Sequence, residues 1–183
     1  MCLESPITTA LCVTGKAGVR RAWFAQCEAV SDIAFSAITR EVTGFTMDVL
    51  HPVPVFLQVD FEKNTAFLNQ QQTRVKNNIN YAQTLSMIFG INNATLNALL
   101  TDLARCCCYI GIVEMNTGQR RLIGVSYDDI TDTWNTEDLK TGEGSDNSGA
   151  DPVADSNEVL QTVTANTSYS FAPFLATSAS IPT

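Results

Sequence analysis

The hydrophobic pattern changes period within residues 92–127, and this region organises the prediction for the whole chain. Leu96, Leu99, Leu100 and Leu103 recur at spacings of three and four, which predicts one apolar stripe on a helix over residues 93–105. An asparagine before this stripe can cap the helix by accepting a hydrogen bond from a free backbone N–H. We therefore expect a single amphipathic helix near the middle of the chain.

The helix is followed by an uncharged run and a turn signal. Residues 106–113 contain only apolar or small side chains, which predicts a strand with both faces covered. The Asn-Thr-Gly sequence at 116–118 tolerates positive φ and predicts a chain reversal. Residues 119–127 then predict the return strand. We expect the helix to lie across this antiparallel pair and to form the core with it.

Alternation of apolar and polar side chains predicts the remaining strands. In residues 55–61 the pattern places Val55, Leu57, Val59 and Phe61 on one face and Phe56 on the other. We count about seven strands and one helix, so the predicted fold class is mainly β: an antiparallel β-sandwich or barrel with one flanking α-helix. The other predicted strands cover residues 18–25, 43–49, 79–89 and 159–170, whereas residues 29–35 are short and mixed in pattern.

Three segments depart from these patterns within what we interpret as one domain, residues 1–183. Residues 1–15 predict an N-terminal arm. Residues 62–78 are polar and rich in amides, which predicts a long inter-subunit loop or an extended hairpin. Residues 128–158 hold ten of the nineteen acidic side chains and one basic side chain, Lys140, which predicts an acidic surface loop.

The overall charge limits the possible partners. The formal net charge is −8 and the isoelectric point is about 4.5, so tight or sequence-specific binding to DNA is not expected. We expect no signal peptide, because the first residues lack a basic start, and no membrane span, because no apolar run is long enough. The sequence thus predicts a protein made in the cytosol and soluble there.

The six cysteines predict buried thiols. Three of them, residues 106–108, are consecutive, and neighbouring side chains on a strand point to opposite faces. An even count could indicate disulfides, but we expect reduced thiols that act as small hydrophobic side chains. A zinc site is not expected, because the chain has no Cys-x-x-Cys pair and only one histidine, His51.

No constellation in the sequence predicts catalysis, so we expect no catalytic, cofactor-binding or metal-binding residues. His51 precedes a proline and shows no orienting partner for a cysteine nucleophile. For the arginine pairs at 20–21 and 120–121, we expect one surface charge and one salt bridge each. Calcium could bind acidic side chains, but their spacing fits a solvated loop better than a calcium motif; these residues are Asp128, Asp129, Asp132, Glu137, Asp138, Asp151, Asp155 and Glu158.

The order of segments over roughly residues 18–175 resembles the tail tube proteins of tailed bacteriophages. The first predicted strand, at residues 18–25, the predicted helix and the turn at 116–118 take their places in that order. The resemblance also depends on short motifs, which are Phe61-Glu62-Lys63-Asn64, Asn80-Tyr81-Ala82-Gln83-Thr84-Leu85, residues 109–115, Arg121-Leu122-Ile123-Gly124, and Tyr169-Ser170-Phe171-Ala172-Pro173-Phe174. The acidic segment is longer than a minimal member of this family needs, so we interpret it as a surface insertion.

The resemblance implies a structural virion protein that assembles in the host cytoplasm. Six subunits would form a ring, and rings would stack into a tube whose inner strands form a continuous β-barrel. Residues 1–15 and 62–78 would reach the next ring. The partners would be further copies of the chain, other tail proteins, and DNA that passes through the lumen without specific binding. The acidic subunit implies a lumen that repels phosphates.

Other classes of function remain open from the sequence. A tail or neck ring protein and a surface decoration protein would share the virion but not the tube. A monomeric ligand-binding β-barrel would instead need an apolar interior pocket. A hydrolase is the weakest of these alternatives.

Overall fold

The fold is mainly β and its strand pairs are antiparallel, consistent with a β-sandwich. The computed structural model describes residues 18–61, 65–75, 78–89, 94–105, 108–128, 131, 133–136, 140–147, 158–167 and 171–183. The described elements are β1 (Val19–Gln26), a 3₁₀ turn (Cys27–Ala29), β2 (Val30–Phe35), β3 (Val42–Met47), β4 (Leu57–Val59), β5 (Phe67–Val75), β6 (Asn78–Phe89), α1 (Ala94–Arg105), β7 (Tyr109–Met115), β8 (Arg120–Ile123), β9 (Val125–Asp128), β10 (Thr133–Thr136), β11 (Lys140–Asn147) and β12 (Glu158–Thr167).

The central sheet has the strand order β4-β1-β7-β8. Its inner strands are apolar on both faces: Tyr109, Ile110, Ile112 and Val113 of β7 are all buried, as is Gly111 between them. A Cβ atom at Gly111 would lie 2.7 Å from a side-chain carbon of Ile123, so a side chain there would force its neighbours to move. The prediction of a strand covered on both faces is confirmed for the described residues of this run.

The side sheet, with the order β11-β12-β6-β5, packs against one face of the central sheet. Leu85, Met87 and Phe89 of β6 and Val163 and Ala165 of β12 are buried against β1, β7 and β8. The residues between these, which point to the other face of the side sheet, are less buried, except for Ser86. This period of two confirms the predicted strand over residues 79–89 and, as far as Thr167, the strand predicted over residues 159–170, whose last three residues lie outside the described part of the chain.

A third layer covers the other face of the central sheet. The hairpin β2–β3, Phe56, Val125 of β9 and the C-terminal segment contribute to a second buried cluster around Trp23, Ile110, Ile112 and Leu122. The C-terminal segment, residues 171–183, packs into this cluster through Leu175 and Ala179. Two apolar clusters, one on each face of the central sheet, therefore form the core.

A disulfide between Cys27 and Cys108 corrects the prediction of reduced thiols for this pair. Cys27 directly follows β1 and Cys108 directly precedes β7, and the last registered pair of these strands is Gln26 with Tyr109. The two Cα atoms are 5.5 Å apart, within the range that a disulfide requires. The sequence could not reveal this disulfide, because the two cysteines are 81 residues apart. They meet only through the register of β1 against β7, which is a property of the tertiary structure.

The helix and the turn occur where the pattern predicts them. α1 ends at Arg105 as expected, and Leu100 packs against the cluster between the sheets. The expectation that the helix lies across β7 and β8 is wrong, because the side sheet covers one face of this pair and the third layer covers the other. The turn after β7 has Gly118 at φ +83°, and its N–H donates to the Met115 carbonyl at 2.9 Å. The return strand is divided, however: Gly124 at φ +80° separates β8 in the central sheet from β9, which pairs with β10.

The faces predicted for residues 55–61 are wrong. The strand is only three residues long, Leu57 is 57% exposed, and Phe56, assigned to the polar face, is 1% exposed in the second cluster. The N–H of Phe56 donates to the carbonyl of Pro182 at 2.7 Å, so the C-terminal segment fixes its orientation. A short apolar alternation does not reveal which face the rest of the chain will cover.

The count of about seven strands and two of the predicted loops also need correction. Most of residues 62–78 forms β5 and the start of β6, so this segment is the extended hairpin and not the loop. Residues 128–158 include β10 and β11 and end at the start of β12. Backbone pairing stabilises these strands, although their composition is typical of loops. The predicted N-terminal arm, residues 1–15, lies outside the described residues.

Candidate assembly interface

The strand β5 is a long edge of the side sheet. It pairs with β6 over nine residues without a register shift, and among the described residues it has no second strand neighbour. It contains no proline and a single charged side chain, Arg74. Natural edge strands are usually short, bulged or interrupted by lysine or proline, because their unpaired backbone groups otherwise pair with another chain. Apart from the charge of Arg74, β5 lacks these protections, so it is a candidate site for strand addition.

The hairpin β5–β6 extends past its neighbour β12. β12 pairs with β6 as far as Tyr81, whereas β5 continues to pair with β6 through Asn80, Ile79 and Asn78. Tyr81 is the last residue of β6 that has both β5 and β12 beside it. Its ring contacts the ring of Phe171 edge to face, with the ring centres 4.8 Å apart. The end of this hairpin consequently has no neighbouring strand on either side in the described part of the sheet, and Thr73 and Asn80 there are exposed.

The face of the side sheet that points away from the core is uncharged over residues 160–166 of β12, 80–88 of β6 and 67–73 of β5. We call it the open face. Its side chains are hydroxyls, amides and a few apolar groups, and Thr84 and Thr164 hydrogen-bond across it at 3.3 Å. The open face consists of Leu160, Thr162, Thr164 and Asn166 of β12, Asn80, Ala82, Thr84, Ser86 and Ile88 of β6, and Phe67, Asn69, Gln71 and Thr73 of β5.

The edge of the central sheet at β8, in contrast, is closed by the chain's own C-terminal segment. The N–H of Leu122 donates to the Pro173 carbonyl and the N–H of Leu175 donates to the Arg120 carbonyl, each at 2.9 Å. The other side of this segment pairs with β3, where the N–H of Val42 donates to the Phe174 carbonyl at 2.8 Å. At the opposite edge of the sheet, β4 is only three residues long.

The second arginine pair holds the C-terminal segment. The Arg120 guanidinium donates to the carbonyls of Ala176 and Thr177, at 3.3 and 3.2 Å. Arg121 donates to the Ala172 carbonyl at 3.4 Å, and its guanidinium carbon lies 3.9 Å from the centre of the Phe174 ring. Burial lowers the pKa of Arg121, but arginine remains charged at neutral pH. Instead of the salt bridge predicted for this pair, the described structure has hydrogen bonds to backbone carbonyls and a contact between Arg121 and the Phe174 ring.

The first arginine pair follows the prediction in part. Arg20 forms an ion pair with Glu114 on the neighbouring strand, at 3.6 Å. Arg21 is exposed as well, because the register shifts between Val19 and Arg21 and disturbs the alternation there. Both arginines therefore lie on the surface of the central sheet.

Gln83 is a buried polar side chain that sequence reasoning placed on the apolar face of β6 without assigning it a role. It is 0% exposed, and its Oε1 accepts a hydrogen bond from the Gly124 N–H at 3.0 Å. Its Nε2 has no partner within the described structure. The side chain links the side sheet to the point where β8 becomes β9. In the sequence, the sign of such a role was a glutamine on a strand face whose other residues are apolar.

The remaining candidates from the sequence do not converge on one site in the described residues. His51 lies in the turn after β3, where its Nδ1 is within hydrogen-bonding distance of Val53, and both cysteines of the described structure are in the disulfide. Asp128 is buried and accepts a hydrogen bond from the Thr131 hydroxyl at 2.9 Å. Asp129, Asp132, Glu137, Asp138, Asp151 and Asp155 lie outside the described residues.

Comparisons with known proteins give no relative from which a role could be taken. No protein-family model matches the chain, and no curated protein or solved structure is significantly similar to it. Within the described residues, no helix has both the length and the apolar character that crossing a bilayer requires.

Proposed function

We propose that this chain is a structural subunit that assembles with copies of itself through the side sheet, as the tail tube subunit of a tailed bacteriophage. The observation that carries the proposal is the unprotected edge of β5, which is nine residues long. An edge of this length favours pairing with a strand of another chain. The central sheet, whose β8 edge is covered by the chain itself, would serve as the rigid support.

In the proposed ring, the side sheet of one subunit continues into that of the next. β5 and β11 are the two outer strands of this sheet, so contact between β5 of one copy and β11 of another would propagate in one direction around a closed ring. The number of six subunits and the stacking of rings follow from the resemblance to tail tube proteins. The projecting end of the β5–β6 hairpin would reach toward the adjacent ring, together with residues 1–15, and α1 would flank the sandwich.

The open face would then line the channel. It carries no cationic side chain that could hold a phosphate by releasing counterions, so DNA could pass without binding. The residues at 160–166, 80–88 and 67–73 on this face also carry no acidic side chain. We therefore expect a lining that is neutral on this face, where the sequence alone suggested a repulsive one.

The disulfide fits a protein that works outside the cell. Disulfides persist in oxidising surroundings and are rare in a reducing cytosol. A virion is assembled in the host cytoplasm but persists outside it, so the bond between Cys27 and Cys108 could form after assembly or release. The role is structural, with no catalytic step, cofactor or metal.

A monomeric carrier is the main rival from another class. In such a β-barrel the ligand would occupy the space between the sheets, but here that space is filled by side chains such as Leu85, Met87 and Val113, each at most 1% exposed. A neck ring protein or a surface decoration protein would use the same open edge but would stop at a single ring or copy.

The first test is the assembly state of the purified full-length chain. We expect light scattering to show oligomers at micromolar concentration and negative-stain electron microscopy to show rings or tubes. Rings that never stack would indicate a neck protein. A chain that stays monomeric at all concentrations and salt conditions would refute assembly through the side sheet.

The second test uses proline at adjacent positions of β5, Gln71→Pro and Gln72→Pro. Along an antiparallel strand one of two neighbouring N–H groups points to the existing partner and the next points outward. One variant should therefore lose stability, and the other should keep the wild-type circular dichroism but lose assembly. Replacing residues 73–80 by Asn-Gly, which preserves the paired Gln72 and Tyr81, should separately prevent stacking. Tubes formed by all three variants would contradict the proposed interface.

A further inference from the structure

An aromatic cleft lies between the hairpins β2–β3 and β9–β10, on the side of the molecule away from the side sheet. Its volume is about 540 Å³, within the range of ~300–1,000 Å³ typical of small-molecule sites. Three rings line it, those of Phe35, Tyr127 and Trp134. The assembly proposed above does not use these residues.

The three rings are held by the fold. Tyr127 and Trp134 are directly opposite each other on β9 and β10, and the rings of Phe35 and Tyr127 are 5.4 Å apart. Phe35 and Trp134 also pack against the second apolar cluster, so each has one part anchored in the core and another part in the cleft. A platform fixed in this way loses little conformational entropy when a ligand binds.

Two polar side chains of the cleft offer acceptor oxygens to a ligand, Asp32 and Thr133. Asp32 contributes an exposed carboxylate. The Thr131 hydroxyl donates its one hydrogen to Asp128, so in its 2.7 Å contact with Thr133 it must accept. Thr133 is therefore the donor in that contact, and the lone pairs of its oxygen can accept a hydrogen bond from a ligand. Ser36 is already engaged by the backbone N–H groups of the following turn.

Aromatic faces beside acceptor oxygens fit one class of ligand best. A sugar ring presents weakly positive C–H groups on a face, which suit the negative face of an aromatic ring, and hydroxyl donors around its rim. A quaternary ammonium ligand would also suit the rings, but the Arg40 guanidinium already lies 5.9 Å from the centre of the Tyr127 ring and would repel it. The geometry points to a binding site for a neutral oligosaccharide on Phe35, Tyr127 and Trp134, with Asp32 and Thr133 accepting from its hydroxyls.

A microarray of neutral oligosaccharides probed with the full-length chain tests this site, followed by calorimetric titration of the sugar that binds best. We expect Asp32→Asn to weaken that binding about tenfold and Thr133→Val by roughly threefold to tenfold. The exposed Glu28 on the 3₁₀ turn provides the control, and Glu28→Gln should leave the affinity unchanged.

Tryptophan fluorescence gives a second readout. The chain has two tryptophans, and Trp23 is only 6% exposed, so a shift on sugar binding should come from Trp134 and disappear in Trp134→Phe. The inference would be overturned if no neutral sugar binds, if Asp32→Asn and Thr133→Val leave the affinity unchanged, or if tetramethylammonium binds more tightly than every sugar. None of these results depends on tube formation, so the site and the assembly can fail separately.

Discussion

The central sheet and the side sheet are built from similar antiparallel strands, but they differ in how many of their faces the chain itself covers. The central sheet is buried on both faces, and its β8 edge is closed by the C-terminal segment. The side sheet is buried on one face, while the residues named as its open face are uncharged and β5 lies open at its edge. The first arrangement stabilises the monomer, and the second leaves surface for other copies. Substitutions should therefore affect folding in the first sheet and assembly in the second.

The largest effect is expected from the disulfide, which joins the ends of β1 and β7 in the central sheet. Because it closes a loop of 81 residues, Cys27→Ser with Cys108→Ser should lower the free energy of unfolding by about 4 kcal/mol. Urea denaturation of the wild type and of the double variant, with and without a reducing agent, measures the difference. Reduction of the wild type should reproduce the variant, and unchanged midpoints would show that the bond contributes nothing.

Leucine-to-alanine substitutions compare the two sheets with the same chemistry. Leu122 on β8 is 0% exposed, so Leu122→Ala should cost about 2–5 kcal/mol through lost burial and the cavity left behind. Leu160 on the open face is 36% exposed, so Leu160→Ala should cost less than about 1 kcal/mol. Thermal and urea unfolding of both variants checks this difference. Equal costs would mean that the open face is covered in the folded monomer.

Substituting two glycines by alanine compares a tightly packed position with a position that has space for a side chain. A Cβ atom at Gly111 in β7 would lie 2.7 Å from Ile123 and 2.9 Å from Phe24, so Gly111→Ala should destabilise by about 1–3 kcal/mol. At Gly44 in β3 no atom lies within 4 Å of the added Cβ, so Gly44→Ala should be neutral or slightly stabilising. Unfolding midpoints measured side by side decide the matter, and a neutral Gly111→Ala would disprove the tight packing of β7.

The smallest effect is expected where the two sheets are joined by Gln83. Gln83→Leu removes the acceptor of the Gly124 N–H, but it also removes a buried amide nitrogen that has no partner in the described structure. These effects oppose each other, so we expect a net loss of about 1 kcal/mol. Denaturation measures the loss, and hydrogen exchange at Gly124 should become faster. A loss above about 3 kcal/mol would indicate a second hydrogen-bond partner for the amide.

The hydrophobic pattern alone determined the class of fold and the position of most strands. Period-two alternation over residues 79–89 and 160–166 specified which faces are buried, and Asn116-Thr117-Gly118 specified the turn after β7. These features are local, since side-chain alternation and positive φ depend on neighbouring residues only. The β5 edge was also visible in the sequence as part of a polar, amide-rich segment, but its form as a strand was not.

Only the tertiary structure decided the features that join distant parts of the chain. The disulfide depends on the register of β1 against β7, and the burial of Phe56 depends on a carbonyl near the C-terminus. The aromatic cleft needs two hairpins that are about one hundred residues apart in sequence to lie side by side. The amino-acid pattern sets the local conformation and the face that avoids water. Which surfaces meet depends on packing and backbone pairing over the whole molecule, because no short segment contains both partners.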